Sequence, residues 1–188
     1  MIHVALKEWA VVCELLVAGE QALLVRKGGI EEAEGPGRFR LASPRFALFP
    51  AWLHQEPERI TLAWRDRVAP YDEEPAEVVI AGFGVAEYIW QAPSREAFDA
   101  LDDLHCWTPE HLDKRWQYKS HQPLYVLAVR AYRLANPRTV ANNPRYAGCR
   151  SWIEFDPGDA IDDAAAMPAL SDDAFASIVT RVATALAQ

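Results

Sequence analysis

Hydrophobic positions change their spacing several times along the chain, and each change marks an element. Over residues 5–18, Leu6, Trp9, Ala10, Cys13, Leu16 and Val17 recur at helical intervals while Lys7, Glu8 and Glu14 fall off the stripe. That spacing predicts a helix, with Gly19 as its stop. A hairpin of "WAVVCELLV" with "ALLVRK" is the competing reading, disfavoured because residues 9–17 do not alternate. A strand is expected at 22–27, followed by a loop, "GGIEEAEGPG", with four glycines and a proline. Strand-like runs then occupy 38–41, 45–49, 60–66 and 77–90.

The second half reads similarly. Ser94 is placed to cap a short helix through Leu104, and Thr108 followed by Pro109 and Glu110 opens another that runs to about Tyr118. "PLYVLAVRAYRL", 123–134, alternates as a long strand, with Arg130 and Tyr132 on one face near its end. A further strand is expected at 150–155. Residues 156–170 read as an acidic linker, and Ser171 opens a final helix with Phe175, Ile178, Val179, Val182 and Leu186 on one stripe. Strands joined mostly by loops, with helices at the start, middle and end, indicate an α+β fold. The architecture expected is a small, partly closed β-barrel with peripheral helices over 1–155, then the linker, then the helix 171–188.

Composition narrows this only in part. The chain is 51% hydrophobic with three widely spaced cysteines, and no apolar run approaches the ~20 residues of a bilayer span. A reduced, cytoplasmic protein without disulfides is the expectation. Charge changes the picture more. Residues 68–113 carry a net −10, residues 114–150 a net +8 without one acid, and residues 151–188 a net −6, in a chain of net −8. Sign segregation of this kind points to an anionic partner at one face.

Candidate chemistry clusters around the basic block. "LLVRKGGI", 23–30, ends a strand with Arg26 and Lys27 before paired glycines that would let backbone amides approach an anion. Arg115 and Lys119 precede the long strand, Arg130 lies on it, and Arg145 and Arg150 follow; all are candidates for phosphate contact. Trp107, Tyr132, Tyr146 and Trp152 are candidates to stack on or line a base pocket, and Gln55 to read a base edge. In "NPRYAGCRSW", Pro144 and Gly148 would bracket a loop with Arg145 and Tyr146 at its tip. His105, Cys106 and His111 lack metal-ligand spacing, so neither a metal nor another cofactor is expected. His54 and Cys149 form an alternative, enzymatic pair: a base near neutral pH and a thiol flanked by cations.

The stretches "ALKEWAVVCELLVAGEQALLVRKGGI", "FALFPAWLHQ", "LHCWTPEHLDKRW", "PLYVLAVRAYRL" and "YAGCRSWIEF" resemble the domain-of-unknown-function family 1802 over residues 5–155. Some relatives carry this domain beside an Mrr-type restriction-endonuclease domain, which implies a link to restriction of foreign DNA. A fainter resemblance is to ASCH and PUA-like barrels, where a helix precedes G-x-K-x-x-E-x-R; "GEQALLVR" keeps Gly19 and Arg26 but has Gln21 and Leu24 at the other positions. Such barrels commonly bind RNA or modified DNA bases. Together these readings indicate a nucleic-acid-binding module that recognises unpaired or modified bases, with a protein of a restriction system as a possible partner. The alternatives are an enzyme acting on a nucleotide or nucleic acid through His54 and Cys149, and a protein-interaction subunit.

Overall fold

The computed structural model describes residues 1–27, 31–32, 39–41, 43–69, 72–148 and 150–187. Gly28, Gly29 and Cys149 therefore lie outside the described residues, as does most of the glycine-rich loop.

The first expected helix is two elements. Residues Val4–Trp9 form β1, and only Ala10–Ala18 form the helix α1. Helical spacing in the sequence is overridden by pairing: β1 runs parallel to β5 (Arg45–Ala51) and antiparallel to β8 (Trp152–Glu154). The predicted stop holds, since Gly19 takes φ 77° and donates its N–H to the Leu16 carbonyl. Beyond it lie β2 (Leu23–Arg26) and the short pair β3 (Glu31–Glu32) with β4 (Phe39–Arg40).

Residues 60–66, expected as a strand, are turns and a 3₁₀ segment Arg65–Arg67. Ile60 alone is buried and bridges Trp107, while Leu62 stands exposed. An apolar run without a partner strand has nothing to satisfy its backbone as a ladder. The long strands are β6 (Glu77–Gln91) and β7 (Tyr125–Ala141), antiparallel over nearly their whole length. Register shifts between Ile80 and Gly82 and between Ala86 and Tyr88 curl the pair, which is how β-bulges bend a sheet towards closure. Between them, residues Glu96–Leu101 form a 3₁₀ turn and Pro109–Gln117 form α2, whose Thr108 cap accepts from the His111 N–H.

The strand order is β2-β7-β6-β5-β1-β8, with β9 (Met167–Pro168) also on β7. The sheet is partly closed and the class is α+β. Its core falls into two clusters. Leu6, Leu15, Leu16, Phe46, Trp107 and Leu127 lie in one, and Phe49, Phe83, Tyr146 and Phe155 in the other. The helix α3 (Asp172–Leu186) buries Phe175 and Val182 in the first cluster. Residues 156–170, read as a linker, hold the Ile161–Ile2 bridge, the ion pair of Asp163 with the N-terminus at 2.7 Å, and β9. No helix among the described residues is long and apolar enough to cross a membrane.

Candidate nucleic-acid interface

The 3₁₀ turn Pro57–Arg59, the end of β2 and one face of α2 converge on a cavity of about 420 Å³. Its described walls are Lys27, Arg59, His111, Lys114, Arg115 and Tyr118, with no carboxylate among the described residues. Each group has a local reason to be there. His111, Lys114 and Arg115 are three and four residues apart, hence neighbours on one helix face. Arg59 arrives from the opposite wall because Ile60 bridges Trp107 and the Thr108 N–H bonds the Arg59 carbonyl at 2.9 Å. Lys27 donates to the Arg115 and Trp116 carbonyls at 3.1 and 2.8 Å, so it also caps the C-terminal end of α2. Arg115 donates to the Val25 carbonyl at 2.7 Å and stands over the Trp107 ring at 5.7 Å.

The electrostatics are strongly positive. Burial, then Arg115, lowers the Lys27 ammonium from its ordinary range. Burial likewise lowers Arg115, with Arg26 and Arg59 adding to it against the opposing pull of Glu8. His111 is pushed down to about 3 by burial and by Arg115, Arg59 and Lys114, so it is neutral at physiological pH. It is 6% exposed, and neither of its ring nitrogens has a hydrogen-bond partner among the described residues. Arg59 is the only one of the four cations with a carboxylate partner among the described residues, Glu56, through both oxygens.

Next to this cavity lies a second, of about 200 Å³, walled by Lys7, Glu8, Trp9, His54, Glu74 and Arg150 together with Gly148. Trp9 joins the two, with its ring 5.1 Å from Trp107 and 6.2 Å from His111. Arg26 reaches Glu8 at 3.4 Å, and Lys7 pairs with Glu74 at 3.4 Å. His54 holds φ 64°, the left-handed region that a residue with a Cβ seldom adopts.

The predicted site residues are thus partly gathered and partly dispersed. Lys27 and Arg115 stand together at the first cavity, with Lys119 beside it, its Nζ 5.3 Å from the Tyr118 ring centre, whereas Arg26, close enough to act on the charge of Arg115, turns its guanidinium to Glu8. His54 and Arg150 share the second. Arg130 is elsewhere, paired with Glu87 and Asp172 at 2.7 Å each, and Arg145 is paired with Asp156. Of the aromatic candidates, Trp107 and Tyr146 are buried, and Trp152 and Tyr132 are half-buried against the core. Tyr146 is fully buried rather than at a loop tip, Trp107 is 3% exposed, Trp152 packs edge-on against Phe46, and Tyr132 stacks on Phe83. Gln55 is buried; its amide accepts from the Val11 N–H in the first turn of α1 and donates to the Ala69 carbonyl, which leaves it no edge for a base. Gln21 is likewise internal, bonded to Leu23 and Cys106.

Arg59, His111 and Lys114 are not legible as binding residues in the sequence. The helical spacing of 111, 114 and 115 was a usable signal, whereas Arg59 gave none, because only the fold carries its turn to α2. Among the described residues no group of three or more His, Cys, Asp or Glu side chains is placed to hold a metal.

The described residues thus form a partly closed α+β sheet beside a cationic cavity in which no described carboxylate takes part. The chain belongs to the family described as Domain of unknown function (DUF1802), whose model matches residues 5–181. Solved structures similar to it include two single-residue variants of ZmASCH from Zymomonas mobilis. Both are 10% identical and cover 83% of this chain, with 91% and 89% of their own chains covered and TM-scores of 0.46 and 0.47. No curated protein matches the chain.

Proposed function

We propose that this chain is a nucleic-acid-binding module that holds unpaired strand at the cavity between α2 and the Pro57–Arg59 turn. Lys27, Arg59, Lys114 and Arg115 contact phosphate, and Tyr118, 62% exposed at the rim, offers a face on which a base can stack. The observation that carries the reading is the lining itself: four cations and a neutral histidine, with no acid among the described residues, on a chain of net −8. Lys119, beside Tyr118, extends the same face, and Arg150 supplies a further cation across Trp9. The expected result is salt-dependent binding of single-stranded oligonucleotides at low ionic strength, lost in an Arg59→Ala/Lys114→Ala double variant that keeps the native circular dichroism spectrum. A folded protein that binds neither single- nor double-stranded oligonucleotides would reject the reading.

The enzymatic alternative keeps one specific support. His54 is held at φ 64° in the wall of the second cavity, and strained backbone concentrates at working sites. Cys149, the other member of the pair, lies outside the described residues. Turnover of a nucleotide that disappears in His54→Gln while oligonucleotide binding persists would favour it. A role in restriction comes from the family resemblance and requires that binding discriminate modified from unmodified DNA.

A further inference from the structure

We infer that the cavity between α2 and the Pro57–Arg59 turn is a phosphomonoester site, built for the terminal phosphate of a strand or of a mononucleotide rather than for an internal phosphodiester. The inference rests on the binding function proposed above and names the chemical group that the cavity selects.

Three independent features support it. The first is charge density. Four cations face one space, and among the described residues the carboxylates that act on them are Glu56, hydrogen-bonded to Arg59, and Glu8, whose charge reaches Arg115. An internal diester brings a single negative charge, whereas a monoester brings about −1.5 to −2 at neutral pH, together with three strong acceptor oxygens. The crowding of Arg115 by Arg26 and Arg59 is relieved in proportion to the charge delivered. The second feature is size. About 420 Å³ lies in the lower part of the range for small-ligand pockets, roughly 300–1,000 Å³. That is room for one nucleotide.

The third feature is His111. A ring that is 6% exposed, faces the cavity, and bonds to nothing through either nitrogen is an unmet demand in the protein alone. Burial and then the surrounding cations keep it neutral, so it has one N–H to donate and one lone pair to accept with. A terminal phosphate supplies an acceptor oxygen for the first, and a hydroxyl of the attached sugar supplies a donor for the second. Arg59 and Lys114 on facing walls would then hold the remaining phosphate oxygens, with Tyr118 at the rim beside the base.

The test compares one single-stranded sequence in four forms: 5′-phosphorylated, 3′-phosphorylated, hydroxyl at both ends, and circularised. A nucleoside monophosphate and its nucleoside serve as competitors. A phosphorylated end is expected to tighten binding by about tenfold over the hydroxyl-ended strand. The monophosphate should compete and the nucleoside should not. Lys114→Ala, at an exposed position, should remove the preference while the protein stays folded, and Arg145→Ala should retain it. Equal binding of hydroxyl-ended, circular and phosphorylated strands would overturn the inference and leave the binding function standing. Binding of the monophosphate with no binding of any oligonucleotide would do the reverse, supporting the monoester site and rejecting the nucleic-acid reading.

Discussion

His105 and His111 show how one residue type takes two burdens from its surroundings. The His105 ring is fully buried, and its Nδ1 accepts from the Trp107 N–H at 3.2 Å, which places the proton on Nε2, where no partner meets it. Burial pushes His105 down to about 4, and burial with three neighbouring cations pushes His111 to about 3. In the unfolded chain each would titrate near 6.5. Below that value the unfolded state takes up protons that the folded state refuses until pH 4 and 3, so stability is full above pH 6.5 and is lost as pH falls through the interval. One pH unit below 6.5, the loss is about 1.4 kcal/mol per histidine. Denaturant midpoints at pH 7.5 and 5.5 measure it, and His105→Gln should reduce the difference by about half. A midpoint that does not move between these pH values would mean that the two rings are solvated, which their burial contradicts.

The turn 143–148 is where an element read from sequence and the element in the fold diverge most. Its outline was legible: Pro144 opens the turn, and Gly148 takes φ 84° as a reversal requires. Its orientation was not. Lys7 on β1 donates to the Tyr146 and Gly148 carbonyls at 3.3 and 3.4 Å, which draws the turn inward. Tyr146 then packs against Phe49 and Phe155, its hydroxyl donating to Asp159 at 2.8 Å and accepting from the Asp156 N–H at 2.7 Å. A tyrosine in a basic loop looks the same in sequence whether it stacks on a base or bonds two acids 10 and 13 residues downstream. For the same reason β1 was hidden inside a helical pattern, since its partners lie 42 and 150 positions away in the register Ala5–Ala47 and Val4–Glu154. Local signals were sound where the cause is local, as in the Thr108 cap with Pro109 and the Ser171 cap, whose hydroxyl accepts from the Ala174 N–H. Tyr146→Phe should therefore cost about 1–3 kcal/mol of stability by leaving Asp159 and the Asp156 N–H unpaired. Urea unfolding measures that cost, and oligonucleotide affinity of the folded protein should stay unchanged. A variant of native stability with weakened binding would restore the residue to the interface.

At the scale of the whole molecule, the alternating charge blocks meet one another rather than facing water separately. The acidic stretch 68–113 reaches the basic block through Glu87 on Arg130, and the acidic tail reaches it through Asp172 on Arg130 and Asp156 on Arg145. Arg138 is held by the Gly158 carbonyl at 2.6 Å. Much of the +8 in residues 114–150 is thus answered inside the fold, and what remains concentrated lies on α2 with Lys27. Counterion release depends on cations that meet phosphate, not on cations already neutralised by a carboxylate. The salt dependence of single-strand binding should separate the two groups. Plotted as log affinity against log salt concentration, the slope should become shallower by about 0.7 in Lys114→Ala, the share of one phosphate contact on a single strand. In Arg145→Ala and Arg130→Ala the slope should match the unsubstituted protein, with any loss appearing in thermal stability. If Arg145→Ala flattens the slope and Lys114→Ala does not, the strand runs over the 143–152 turn instead. The α2 cavity would then be a cationic surface with no part in binding.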